Sequence, residues 1–269
     1  MKYALVHDAK TEATKGVKGV CPNCGSELIA KCGERKINHW SHKGTRTCDL
    51  WWEPETEWHR SWKNKFPDNW QENSLIDKKT GEKHIADILT NQGIVIEFQH
   101  SHIIPDERLS REKFYENLIW VVDGTRLKRD YPRFSKGKDS FKTVKKGIYQ
   151  VDFPEEYFSS AWLDSSVPVV FDFLGNDTTP EPSDIRRILY CLFPVKIGGK
   201  VIIAEFPRSA FINSIIDGEW LVRTKKFTDE LIQIKIELQD QLEKQQRQRD
   251  NINFQNFMGS KQYRKSRRF

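Results

Sequence analysis

The chain has 269 residues and a formal net charge of +6, from 44 Lys and Arg against 38 Asp and Glu. That length can bury a substantial core and suits one mixed domain with attachments, and the modest positive balance fits either an anionic partner or an ordinary solvated surface. Five cysteines, an odd number, argue against a disulfide framework and for metal binding in a reducing compartment. No apolar run approaches the ~20 residues of a membrane span, and MKYALVHDAK carries no signal-peptide pattern, so a cytoplasmic location is expected.

In chain order, residues 3–7 read as a short strand before a Gly/Lys-rich loop. Cys21-Pro-Asn-Cys24-Gly25 then has the spacing of a zinc knuckle. Two residues between thiolates let the backbone wrap one tetrahedral ion, and Gly25 permits the tight turn. A hairpin over residues 27–32 and 36–40 would return the chain to a second ligand pair. His39, His42 and Cys48 compete for those places; His42 and Cys48 are expected, with His39 as the alternate ligand. Cys32, mid-hairpin, reads as a packed thiol.

Residues 51–67 read as a helix opening near Pro54. Trp58, Trp62 and Phe66 fall at helical spacing and should face the core. Glu57 lies at the border of that stripe, and His59 and Lys63 form an i, i+4 pair whose plainest reading is a solvated face. Residues 70–76 read as a strand and KKTGE as a hairpin turn.

Residues 83–124 follow the order strand, turn, strand, loop, helix, strand. Asp87 lies in the first of these strands. In the second, Val95, Glu97 and Gln99 share one face while Ile94, Ile96 and Phe98 share the other. A carboxylate in an apolar strand carries a desolvation cost, and two on adjacent strands point to a bound cation such as Mg²⁺.

Residues 125–150 are basic with interleaved Tyr and Phe, consistent with a DNA-tracking surface or a solvated loop. Residues 151–222 hold strand-like runs around a helical piece at 184–193, forming either a second α+β module or an extension of the first sheet. Asp164, Asp172 and Glu205 show no ligand spacing there. Residues 225–250 carry apolar positions at Leu231, Ile234, Leu238 and Leu242, the pattern of an amphipathic helix, able to dock on its own domain, pair with a second copy or recruit a protein partner. The terminal KQYRKSRRF is sharply basic and reads as disordered.

The order helix, three antiparallel strands, helix, parallel strand resembles the core of the PD-(D/E)xK nucleases, with Asp87 and Glu97-Phe98-Gln99 at the motif positions. More narrowly, the chain resembles the CoiA-like competence nuclease family. The resemblance rests on the CPxC knuckle, His39-Trp40-Ser41-His42, Glu57-Trp58-His59 with Lys63, Ala86-Asp87, Ile96-Glu97-Phe98-Gln99 with Ser101, Arg111 with Tyr115, and residues 119–124, and it covers roughly the first half of the chain. It implies an α+β fold with a restriction-endonuclease-like mixed sheet flanked by helices at 51–150 and a zinc-ribbon-like module at 1–50; the residues beyond it read as an α+β extension at 151–222 and an amphipathic helix with a basic tail at 223–269.

It also implies a metal-dependent DNA nuclease. Asp87, Glu97 and the Phe98 carbonyl would hold Mg²⁺ or Mn²⁺, with Glu57 completing the shell or binding a second ion. Gln99, where the commoner motif has Lys, would position water without contributing charge. Arg111, Tyr115, Lys63 and His59 would contact DNA, and His84 and His100 are candidate proton carriers. A reading from another class keeps the nuclease core as an inactive scaffold for nucleic-acid binding, and a third makes the chain a zinc-ribbon adaptor.

Overall fold

In a computed structural model, the described residues are 1–34, 36–44, 48–177, 181 and 183–266, with side chains to residue 255. The first five strands are β1 (Tyr3–Val6), β2 (Ala9–Glu12), β3 (Lys18–Val20), β4 (Glu27–Lys31) and β5 (His39–His42). They form one antiparallel sheet in the order β2-β1-β3-β4-β5. The hairpin expected at 27–32 and 36–40 is present, but its second strand starts later, at His39. Five strands cannot bury much, and the core here is small: Ala4, Cys21, Leu28 and Trp40, with Cys32 packed at its edge.

The second sheet has nine strands. After helix α1 (Glu57–Lys63) come β6 (Gln71–Ile76), β7 (Lys83–Leu89), β8 (Val95–Gln99), helix α2 (Pro105–Phe114), β9 (Leu118–Asp123) and helix α3 (Asp130–Lys138). The chain continues through β10 (Lys142–Lys145), β11 (Ile148–Val151), β12 (Val169–Asp172), β13 (Ile188–Ile197) and β14 (Lys200–Pro207) to helices α4 (Arg208–Ile216) and α5 (Glu219–Ser266). The order across the sheet is β10-β11-β14-β13-β12-β9-β8-β7-β6. Strands β8, β9 and β12 run parallel and their other neighbours antiparallel.

Residues 151–222 thus extend the first sheet, since β12 pairs with β9 from Val169↔Trp120 to Asp172↔Asp123. The helix expected at 184–193 is a single turn at Ile185–Arg187 leading into β13. A continuous apolar run such as ILYCLFPV has no period that separates a buried strand from a buried helix.

Alternation sorts the two faces of the sheet. Ile94, Ile96 and Phe98 pack with Trp58 and Trp62 of α1, Phe211 of α4 and Trp220 of α5. Val95 packs on the opposite face with Tyr115, Trp120 and Phe134. The result is helices on both faces of a mixed sheet. The basic stretch 125–150 forms α3 and an edge hairpin whose outer strand, β10, is fully exposed. The terminal stretch expected to be disordered continues α5 as far as Ser266, and residues 267–269 lie outside the described residues.

Candidate functional site

The knuckle closes as its spacing predicts. Cys21 N–H donates to the Ser26 carbonyl at 2.8 Å and Gly25 N–H to the Cys21 carbonyl at 2.9 Å, with Gly25 at φ +72°, a conformation that favours glycine. Strand β5 brings His42 alongside. Cys24 Sγ and Cys48 Sγ lie 3.4 and 3.3 Å from His42 Nε2, and Cys21 Sγ lies 3.9 Å from Cys48 Sγ. The four donor atoms fall within 4.8 Å of one another; corners of a tetrahedron with ~2.3 Å metal–sulfur bonds would be about 3.8 Å apart. Among the described residues this is the one cluster of three or more such ligands. His39 is not in it, and its Nδ1 instead donates to the Ile37 carbonyl.

Thiol chemistry fits a cation-binding set. Burial pushes Cys48 up to about 12 and also raises Cys21. Burial pushes Cys24 the same way, yet Ser26 and His42 hold it down at about 6. A metal that binds thiolates would remove the cost of ionising the other two.

The second constellation lies where β7 and β8 part. They pair at Leu89↔Val95 and Ile88↔Ile96; beyond that, side chains take over the ladder. Asp87 Oδ2 accepts the Phe98 N–H at 3.0 Å, and Glu97 Oε1 accepts the Asp87 N–H at 3.3 Å. Both carboxylates face one cavity, lined also by His59, Lys63, Arg111 and Tyr115. Asp87 and Glu97 are therefore on the same side of the sheet.

Six carboxylates line this cavity, Asp49, Glu53, Glu55, Glu72, Asp87 and Glu97, against the side-chain cations Lys63 and Arg111. Lys63 and His59 are buried, not on the solvated face expected for them. Lys63 Nζ lies 2.8 Å from Glu72, 3.2 Å from Glu55 and 3.2 Å from Asp87 Oδ1. Burial opposes its charge, but Glu72, Asp87 and Glu55 outweigh that and raise it well above the usual ammonium range. Glu72 sits at φ +48°, where its carboxylate also accepts the Lys2 and Tyr3 amides at 2.7 and 2.9 Å. Glu97 has less relief. Burial first, then the charge on Asp87, pushes it up to about 8, despite Arg111 Nη1 at 3.3 Å from Oε2.

Local capping explains the placement of His59. Helix α1 starts at Glu57, with Thr56 as its cap, not near Pro54. Thr56 Oγ1 accepts the His59 amide and donates back to Nδ1 at 2.9 Å, so Nε2 carries the proton and donates to the Phe98 carbonyl at 2.7 Å. Burial keeps this imidazole neutral by lowering its pKa. Arg111 is held between the Trp51 and Trp120 rings, 5.5 and 5.7 Å from their centroids, with Nη2 on the Trp51 carbonyl at 2.7 Å.

Residues 6–50, which contain the entire Cys₃His cluster, match the family described as "Competence protein CoiA, N-terminal domain". Competence protein CoiA of Bacillus subtilis (strain 168) is 28% identical over 145 residues, covering 49% of this chain and 38% of that protein. The chain is similar to competence protein CoiA. Its matched region spans well under half of the Bacillus CoiA. No solved structure matches the chain.

Not every residue of the CoiA-like pattern converges. Glu57 is exposed and outside the cavity; Glu55, one residue before the cap, takes the position expected for it. Gln99 lines a neighbouring cavity, not the one holding Asp87 and Glu97. His84 stacks on Trp51 at 3.2 Å between Asp49 and Glu82, and His100 pairs with Asp123 at 2.7 Å; neither reaches the acidic cavity. Asp49, Glu53, Glu55 and Glu72 also line the cavity without any motif spacing that marks them in the sequence. Thr56 is a good N-cap residue type, and a helix beginning after it puts Glu55 outside the first turn; the other three carry no local signal.

Proposed function

We propose that this chain is a metal-dependent nuclease that hydrolyses phosphodiester bonds in DNA, with a restriction-endonuclease-like core in an Asp/Glu-x-Gln form. The observation that carries this reading is the pair Asp87 and Glu97 at the parting of β7 and β8, in a cavity with an excess of carboxylates. Two neighbouring acids suit Mg²⁺ or Mn²⁺, which bind through one or two carboxylates and keep waters. Glu97, raised by burial and by the charge on Asp87, is the carboxylate there that a bound cation would relieve. Bound there, the ion would neutralise phosphoryl charge and lower the pKa of a water.

The chain's own residues divide the remaining work. Lys63 supplies, beside Asp87, the fixed positive charge that Gln99 cannot. His59 holds the Phe98 carbonyl and so fixes the end of β8. Arg111, at the wall beside Glu97, is read as the phosphate contact. The Cys₃His cluster is read as a structural zinc site, and the exposed basic hairpin at β10 as part of the DNA path.

The test is cleavage of linear, circular, branched and single-stranded DNA with Mg²⁺ or Mn²⁺. Asp87→Asn and Glu97→Gln should each lower the rate by at least about 10³-fold, and Lys63→Met by about 10², the scale of lost electrostatic stabilisation, with DNA binding in Ca²⁺ retained. Equal cleavage by wild type and both acid variants would overturn the site. Salt-sensitive binding without turnover under any divalent ion would favour the inactive-scaffold reading.

A further inference from the structure

Helix α5 carries two apolar stripes. Trp220, Phe227, Leu231 and Leu238 pack on the core of the nine-stranded sheet. Val222, Ile232 and Ile236 are outside that core and are 67%, 41% and 49% exposed. We infer that this outer stripe pairs with the same stripe of a second copy of the chain, antiparallel, over residues 222–246.

At 3.6 residues per turn, alternating steps of three and four keep side chains on one seam of a helix. Val222, Lys225, Asp229, Ile232 and Ile236 follow those steps, and the same steps through Gln239 reach Glu243; all of them are exposed. Exposed apolar residues scattered singly need no explanation, but here two isoleucines lie one turn apart on one seam. Helix propensity does not account for them, because Ile is a weaker helix former than the Lys, Gln and Glu around it.

Charge on the seam selects the partner and its direction. Set antiparallel with Ile232 opposite Ile236 of the second copy, the two-fold axis makes two apolar layers at the centre. The same register puts Lys225 opposite Glu243 of the second copy at each end, and Asp229 opposite the neutral Gln239. Sliding by one heptad sets Ile232 against Glu243 in one direction and against Asp229 in the other. A parallel pair in register stacks Lys225 on Lys225, Asp229 on Asp229 and Glu243 on Glu243. Of these arrangements the first alone buries isoleucine on isoleucine and matches opposite charges. Within its own chain Glu243 has an exposed contact with Arg247 at 3.6 Å, the kind of surface pair that contributes little and yields readily. Because the sheet covers the other side of α5, the two bodies lie on opposite sides of the joined helices, and the two-fold pair is closed.

Sedimentation equilibrium of the full chain at low salt, without DNA or divalent ions, tests this. Between about 1 and 100 µM the mass should rise from 31.7 kDa toward twice that value, and high salt should weaken the association by screening the end pairs. Ile236→Glu should weaken it at least about tenfold, with far-UV circular dichroism unchanged because the site is exposed. Lys225→Glu and Glu243→Lys should each weaken it about fivefold or more, and the double variant should associate as wild type does. A chain that stays monomeric at about 100 µM leaves this face to solvent or to a different protein and overturns the pairing. Ile236→Glu associating as wild type does moves the dimer to another surface; single charge variants without effect, or a double variant no better than the singles, overturn the antiparallel register. None of these outcomes bears on the nuclease reading, which cleavage tests separately.

Discussion

Asp172 carries no ligand spacing in the sequence, yet its carboxylate has no solvent exposure and takes up five hydrogen bonds. Trp58 and Trp62 Nε1 and Arg208 Nη1 donate to Oδ2 at 3.0, 2.9 and 2.9 Å; Arg208 Nη2 and the Leu174 amide donate to Oδ1 at 2.5 and 2.9 Å. This one side chain ties α1, and so His59 and Lys63, to the end of β12 and to α4. Asp172→Asn keeps the shape but turns one of the two acceptor oxygens into a donor and leaves Arg208 uncompensated. Chemical denaturation should show a loss on the order of 3 kcal/mol, and a loss below about 1 kcal/mol would remove this tie. The burial of Lys63 belongs to the same scale. An i, i+4 pair of His and Lys is polar by composition, and only the arrival of Glu72 and Asp87 from β6 and β7 makes burial of Lys63 affordable.

At the scale of elements, the metal knuckle and the acidic cavity are mechanically joined. Cys48, a cluster ligand, directly precedes the segment from Asp49 to Glu55 that forms a wall of the cavity. Asp49 Oδ2 accepts the Ile85 amide at 3.0 Å, and Asn23, inside the knuckle, accepts from Ser74 Oγ of β6 and donates to the Cys48 carbonyl. On the proposed nuclease reading, with zinc in the cluster, Cys48→Ala should lose the zinc and lower Mg²⁺-dependent cleavage by about tenfold or more, while far-UV circular dichroism retains the nine-stranded sheet, because the large core does not depend on the small module. Metal analysis and a cleavage assay on the same preparation check it; zinc-free protein with undiminished cleavage would uncouple the two. The Cys-x-x-Cys spacing was legible because it is local. The wall it positions was not, since its acids acquire a role only when β6, β7 and residues 49–55 meet.

For the whole molecule, α5 is half anchor and half projection. Trp220, Phe227 and Leu231 pack on the sheet beside Phe193, and Leu238 lies against Gly198. Residues 239–255 are exposed throughout, including Leu242, Ile252 and Phe254. Ending the chain after residue 241 should leave the melting temperature within about 2 °C of the full chain, since it removes little buried area. Ending it after Gly218 strips the cover from Phe193 and should lower it by more than about 8 °C, a shift of several kcal/mol for a protein this size. Calorimetry of the two truncations distinguishes them. No helix of the described chain is long and apolar enough to cross a membrane.

Local periodicity alone determined the knuckle, the alternation that puts Glu97 and Gln99 on one face of β8, and the order of helices and strands from 57 to 123, because each depends on residues only a few positions apart. Tertiary structure decided that residues 151–222 complete the same sheet, that Glu55 and not Glu57 faces the cavity, and that Gln99 turns toward a different pocket from its acidic neighbours. Those outcomes depend on which strands lie side by side and where they diverge, and a one-dimensional pattern does not record the distance between β7 and β8.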